Sequence, residues 1–113
     1  MEPYKRIKKF AKEGKINITP HAVDRAIKWG IKASEITKHV TRGLILNTEE
    51  VEGLPDPKKP NKYYCICKSF LTWITLILLI DPDVVWVITV YPSKPYEKRL
   101  YQRRKRFLHD KLL

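Results

Sequence analysis

Acidic residues are scarce in this chain. Twelve Asp and Glu stand against 23 Lys and Arg, giving a formal net charge of +11 and a pI near 9.8. That excess is more than solubility requires of 113 residues, and it points to a polyanionic partner. Cysteine is almost absent. Cys65 and Cys67 are the only two, spaced to share one face of a strand without easily bridging each other. No CxxC pair and no Cys/His cluster completes a zinc site, so neither metal nor other cofactor is expected. Long apolar runs are missing too. The longest, 70–80, falls well short of the ~20 residues a bilayer span needs, which excludes a membrane role for it. The first fifteen residues are charged and lack an apolar signal region, so the chain reads as cytoplasmic. Few Asn, one Gln (Gln102) and abundant Lys and Ile suit a thermophile.

The stretch around which the chain is organised is 70–91. Two apolar runs, FLTWITLILLI and VVWVITVY, flank Asp81-Pro82-Asp83, a turn tripeptide. Both runs are rich in the aromatic and β-branched residues of a pleated surface, and together they predict a β-hairpin. The first strand has no polar face, since Leu71, Trp73, Ile77 and Leu79 alternate with Ile74, Leu76, Leu78 and Ile80. A strand apolar on both sides belongs mid-sheet, covered by helices or by another chain, and such faces also permit a homodimer.

Upstream, Tyr4, Ile7, Phe10 and Ala11 have helical spacing over 3–13, with lysines and Arg6 between them and Gly14 as the stop. Thr19 and Pro20 are an N-cap and a first helical residue. The helix they open segregates Ala22, Val23, Ala26 and Ile27 from His21, Asp24, Arg25 and Lys28, and Gly30 closes it. A third helix over 33–42 is expected to bury Ala33, Ile36 and Val40. Strands follow at 44–48 and 63–68, separated by a Pro-rich loop over 49–61. After Pro92 and Pro95 a last helix, 96–113, carries Tyr96, Leu100, Arg103 and Phe107 on one stripe. The chain shows no repeats and no second-domain boundary. It reads as one α+β domain, 1–113, ordered α-α-α-β-β-β-β-α: N-terminal helices on a roughly four-stranded antiparallel sheet, with 94–113 as a basic helical extension.

The segment Ile18-Thr19-Pro20-His21-Ala22-Val23-Asp24-Arg25, then Trp29-Gly30-Ile31, and the later strand Val87-Ile88-Thr89-Val90-Tyr91 resemble a widespread microbial domain family of unknown function. Its helix start reads I-T-x-H-A-x-x-R-x-x-x-R-G-I-S. The family is regarded as a distant relative of RelE/ParE-like toxins, small basic α+β domains, several of them metal-independent ribonucleases paired with antitoxins. The resemblance covers about residues 17–92 and departs at Trp29, where the family has Arg, and at Lys32, where it has Ser.

Cleaving RNA without metal takes a base for the 2′-OH, cations for the charged phosphorane and an acid for the leaving oxygen. His21 and Arg25, neighbours at i,i+4, and Tyr91, at the end of the hairpin, are the candidate catalytic residues. Lys28, Arg99, Tyr101, Arg103, Arg104 and Arg106 are the candidate nucleic-acid-binding residues, with arginines for phosphates and aromatic rings for stacking. The partners that fit are RNA or another nucleic acid, an acidic antitoxin-like protein, or a second copy of the chain. Three functions follow: an RNA-binding RelE-like endoribonuclease, a non-catalytic nucleic-acid-binding protein, or an interaction module for an acidic partner.

Overall fold

The computed structural model describes residues 2–69 and 72–112, with side chains as far as Phe107. The expectations placed on Phe70 and Leu71, and on side chains of the last helix beyond Phe107, lie outside the residues so described. Five helices and five strands follow one another as α1 Pro3–Lys12, β1 Ile16–Ile18, α2 Pro20–Lys28, α3 Ala33–Arg42, β2 Leu44–Asn47, α4 Thr48–Glu52, β3 Lys62–Lys68, β4 Trp73–Ile80, β5 Val85–Pro92 and α5 Pro95–Leu112. The strands form one open sheet in the order β1-β5-β4-β3-β2.

The expected four-stranded antiparallel sheet is therefore corrected to a mixed sheet of five. β2 to β5 pair antiparallel, but β1 joins β5 in parallel, Ile16 opposite Val85 and Ile18 opposite Val87. Three residues, Ile-Asn-Ile, are too few to show a period in sequence. Their pairing is made by the β5 edge, which lies some seventy positions on. The expected loop over 49–61 also yields a helical turn. Asn47 and Glu50 form a capping box around the start of α4, and Gly53 at φ 84° ends it.

β4 is central, as its two apolar faces require. On one face Ile74, Leu76 and Leu78 join Val85, Val87 and Val90 of β5 under Ile7 and Ala11 of α1, Ala22 and Ala26 of α2, and Ile36 and Val40 of α3. On the other, Ile77 packs with Tyr64, Ile66 and Leu46, and Leu100 and Tyr101 of α5 lie against them. The helical layers thus cover both sides of the sheet. Two expected core positions fall outside it: Ala33 is exposed at the start of α3, and Ile27 is 70 % exposed at the end of α2.

The hairpin contains one irregularity that matters for the site. Val87 pairs with Leu78 and Thr89 with Ile77, so Ile88 is an extra residue in β5. Unbroken alternation would place Tyr91 on the same face as Val85 and Val87. The bulge shifts the phase, so that Val90 takes the inner position and Tyr91 turns to the α5 side.

Candidate nucleic-acid interface

α5 is oriented by one buried acid. Glu97 has no exposed surface. Its Oε1 accepts from the Lys94 backbone N–H at 2.8 Å and from the Thr75 hydroxyl at 3.0 Å, and its Oε2 accepts from the Tyr91 hydroxyl at 2.6 Å. Because the single Thr75 proton goes to Glu97, Ser93 Oγ, 2.7 Å away, donates to Thr75. Glu97 stands three residues after Lys94, with Pro95 first in the helix, so it also caps the helix start. The Lys94-Pro95-x-Glu97 spacing was the signal available, and it marks a cap without marking burial.

With Glu97 inward, Leu100, Tyr101 and Arg104 follow it on the same side at helical spacing. The expected stripe of Tyr96, Leu100, Arg103 and Phe107 runs along one flank of this side, where Leu100, Arg103 and Phe107 line a groove with Leu46 and Glu50. Arg104 forms an ion pair with Glu50, whose other oxygen accepts from Tyr4 OH at 2.6 Å, so α5, α4 and α1 are joined at one carboxylate. Tyr101 stands edge-on to Trp73, ring centroids 5.1 Å apart, and burial raises its phenol pKa. Both side chains serve packing as well as surface. Arg99, Arg103 and Arg106 are exposed, and positions i, i+4 and i+7 put them on one outward stripe. Beside them Lys98 and Lys68 lie 6.0 and 5.2 Å from the Trp73 ring, and Lys94 lies 5.6 Å from Tyr91.

The catalytic candidates divide. Thr19 caps α2 through the Ala22 N–H, as expected, which sets His21 in the first turn, exposed, with Nε2 3.4 Å from Thr89 Oγ1. Arg25 is partly buried one turn on, and Lys28 is exposed with its ammonium 5.2 Å from the Trp29 ring. β1 stops at Ile18, so among the described residues no strand pairs with β5 beyond Val87 on that side, and His21 reaches this open end. Thr89 and Tyr91 flank the inward Val90 and so share a face of β5. The Tyr91 phenol, however, is held by Glu97. Burial first, then that hydrogen bond, pushes its pKa well above the usual phenol value. His21 is thus exposed, whereas the Tyr91 phenol is occupied. Among the described residues, no group of three or more His, Cys, Asp and Glu comes together to hold a metal, and no helix is long and apolar enough to cross a membrane.

The cysteines are buried strand residues, as expected. Both thiols point at the His39 carbonyl, with Cys67 Sγ at 3.0 Å and Cys65 Sγ at 3.5 Å. Their contact with each other and burial hold the Cys65 pKa well above the ordinary thiol value. Nearby, Lys8 donates to the carbonyls of Val40, Thr41 and Gly43 and so closes the C-terminal end of α3.

Comparison with curated proteins and with solved structures finds no match. A family pattern does match, over residues 18–92, from the end of β1 to the end of β5. α1 and the whole of α5, with all its basic residues, lie beyond that stretch. The chain belongs to the family described as Domain of unknown function (DUF4258).

Proposed function

We propose that this chain is an RNA-binding protein of RelE/ParE-like descent that takes unpaired RNA on the outer face of α5. The observation that carries this reading is the Arg99, Arg103 and Arg106 stripe, exposed on a helix whose opposite face is fastened by Glu97, Leu100 and Tyr101. Guanidinium groups on a fixed helix bind phosphates with little ordering cost. Exposed Tyr96 offers stacking surface beside the stripe. Each phosphate contact on a single strand contributes about −0.7 to the slope of log K against log salt. Replacing Arg99, Arg103 and Arg106 together with Ala should flatten that slope by about 2. A salt titration with fluorescent single-stranded RNA measures it. Equal slopes for the two proteins would reject the stripe as the binding surface.

A second reading, metal-independent cleavage of that RNA, is favoured by the exposure of His21 at the open end of β5. In this reading His21 is the base, Arg25 supplies charge to the phosphorane, and water protonates the leaving 5′-oxygen as the P–O5′ bond breaks. RNA incubated in EDTA should be cut by the native chain and not by His21→Ala. Tyr91→Phe should cut at close to the native rate, because the phenol proton is already given to Glu97. Cleavage that survives His21→Ala would place the chemistry elsewhere.

A further inference from the structure

We propose that Cys65 and Cys67 form a two-thiolate site for a soft monovalent metal ion, Cu(I). The two cysteines flank Ile66 on β3, so their side chains share one face of the sheet. Both sulfurs converge on the C-terminal end of α3. The His39 carbonyl is 3.0 Å from Cys67 Sγ and 3.5 Å from Cys65 Sγ. The bare Cα of Gly43 packs on both, since a Cβ there would lie 2.3 Å from Cys65 Sγ and 3.2 Å from Cys67 Sγ. Gly43 and Lys8 also line a surface groove of ≈ 390 Å³, so the pair lies just beneath the surface, and Cys67 keeps 6 % of its area exposed.

Two independent features distinguish this pair from ordinary core cysteines. The first is a shortage of acceptors. The His39 oxygen already accepts from the Gly43 N–H at 2.8 Å. The two thiols bring its donors to three, for two lone pairs. An ion bound between the sulfurs removes that conflict, as the thiol protons pass to solvent and two metal–sulfur bonds replace the S–H bonds. The second is charge. Lys8 is partly buried and gives its N–H groups to the carbonyls of Val40, Thr41 and Gly43. Among the described residues no carboxylate stands within ion-pair distance of it. Its charge acts on both sulfurs. Cu(I) held by two thiolates carries one net negative charge, which is the counter-ion Lys8 lacks.

The ligand number selects the ion. Zinc takes four ligands. His39 faces Cys67 with its side chain, yet no group of three His, Cys, Asp and Glu comes together among the described residues. Two thiolates alone suit a soft ion such as Cu(I). A disulfide fits less well. Residues two apart on a strand stand about 6.4–6.8 Å apart at Cα, the far end of the disulfide range. Metal–thiolate bonds of about 2.3 Å hold the sulfurs of a linear unit roughly 4.6 Å apart, which asks for no such closure.

The test supplies Cu(I) to the reduced full chain as its bicinchoninate complex, under argon. The native chain should withdraw one ion per chain with no change in oligomeric state. X-ray absorption at the copper edge should show two sulfur neighbours, and Cys65 and Cys67 are the only cysteines that can provide them. Cys65→Ser and Cys67→Ser should each weaken binding at least about 100-fold. Lys8→Met removes no ligand and should weaken it by about tenfold, within the range for groups that act on a metal from outside its ligands. Copper should raise the melting temperature of the native chain and leave that of Cys67→Ser unchanged. Melts of the metal-free variants show whether they fold. If the serine variants do not, the absorption spectrum of the native chain and the Lys8→Met affinity decide the matter. Any of four results would overturn the proposal: no copper withdrawn by the native chain, undiminished binding by folded Cys67→Ser, copper without two sulfur neighbours, or half an ion per chain with a new dimer. Displacement of the copper by equimolar Zn(II) would overturn the choice of ion and with it the two-ligand site.

Discussion

Glu97→Ala should lower the stability of the chain by about 3–5 kcal/mol. It removes the acceptor for three donors, Tyr91 OH, Thr75 OH and the Lys94 N–H. Each buried donor left without a partner costs about 1–3 kcal/mol. The Thr75 hydroxyl recovers part of its loss by turning to Ser93, 2.7 Å away, which keeps the total below the sum of three full penalties. A domain of this size has roughly 5–15 kcal/mol in all, so the variant sits near the threshold of folding. The melting temperature should fall by roughly 12–20 °C. Glu97→Gln is the informative companion. Its carbonyl can stay with Thr75 and Lys94 while its amide donates to the Tyr91 oxygen, so only the Tyr91 proton must be re-aimed, at a cost of about 1–2 kcal/mol. Thermal and urea unfolding of the two variants measure the difference. If Glu97→Ala costs under about 1 kcal/mol, the carboxyl does not fasten α5 to the sheet, and the account of helix phase given by its burial fails.

The second large effect is expected at Gly43, between α3 and β2. Its φ of −73° suits any residue, so the cost of Gly43→Ala is steric rather than conformational. An added Cβ would lie 2.3 Å from Cys65 Sγ, 2.9 Å from the His39 carbonyl and 3.2 Å from Cys67 Sγ. The carbonyl is backbone already bonded to the Gly43 N–H at 2.8 Å, and Cys65 is fully buried, so neither can step aside freely. Overpacking of this kind costs about 1–3 kcal/mol, and three contacts at one methyl place Gly43→Ala at or above the upper end. Removing the nearest obstacle should relieve it. In a Cys65→Ala background, Gly43→Ala should cost at least about 1 kcal/mol less than in the native chain, a coupling typical of residues in contact. Additive penalties would show that the clash is taken up by movement of the α3–β2 junction.

Much of the fold follows from local signals. The Asp81-Pro82-Asp83 turn and its two β-rich flanks give the β4–β5 hairpin, and the doubly apolar run puts β4 mid-sheet, because a face without polar groups must be covered. Thr19 and Pro20 place the start of α2, and with it His21, by capping chemistry alone. Asn47 and Glu50 carry the same kind of signal for α4, masked in sequence by the prolines that follow.

Other features depend on partners remote in sequence. β1 is a strand because the β5 edge offers it a ladder, and three residues cannot announce that by themselves. The rotation of α5 follows from the burial of Glu97. That burial needs Thr75 on the central strand and Tyr91 turned outward by the extra residue Ile88, a phase shift no alternation rule foresees. Composition determined that the chain is basic and that α5 concentrates the charge. Only the tertiary contacts decided that Arg104 would be tied to Glu50 while Arg99, Arg103 and Arg106 face solvent. The reason is that a helix densely loaded with cations has no inside until a buried hydrogen-bonding group and a covering sheet select one.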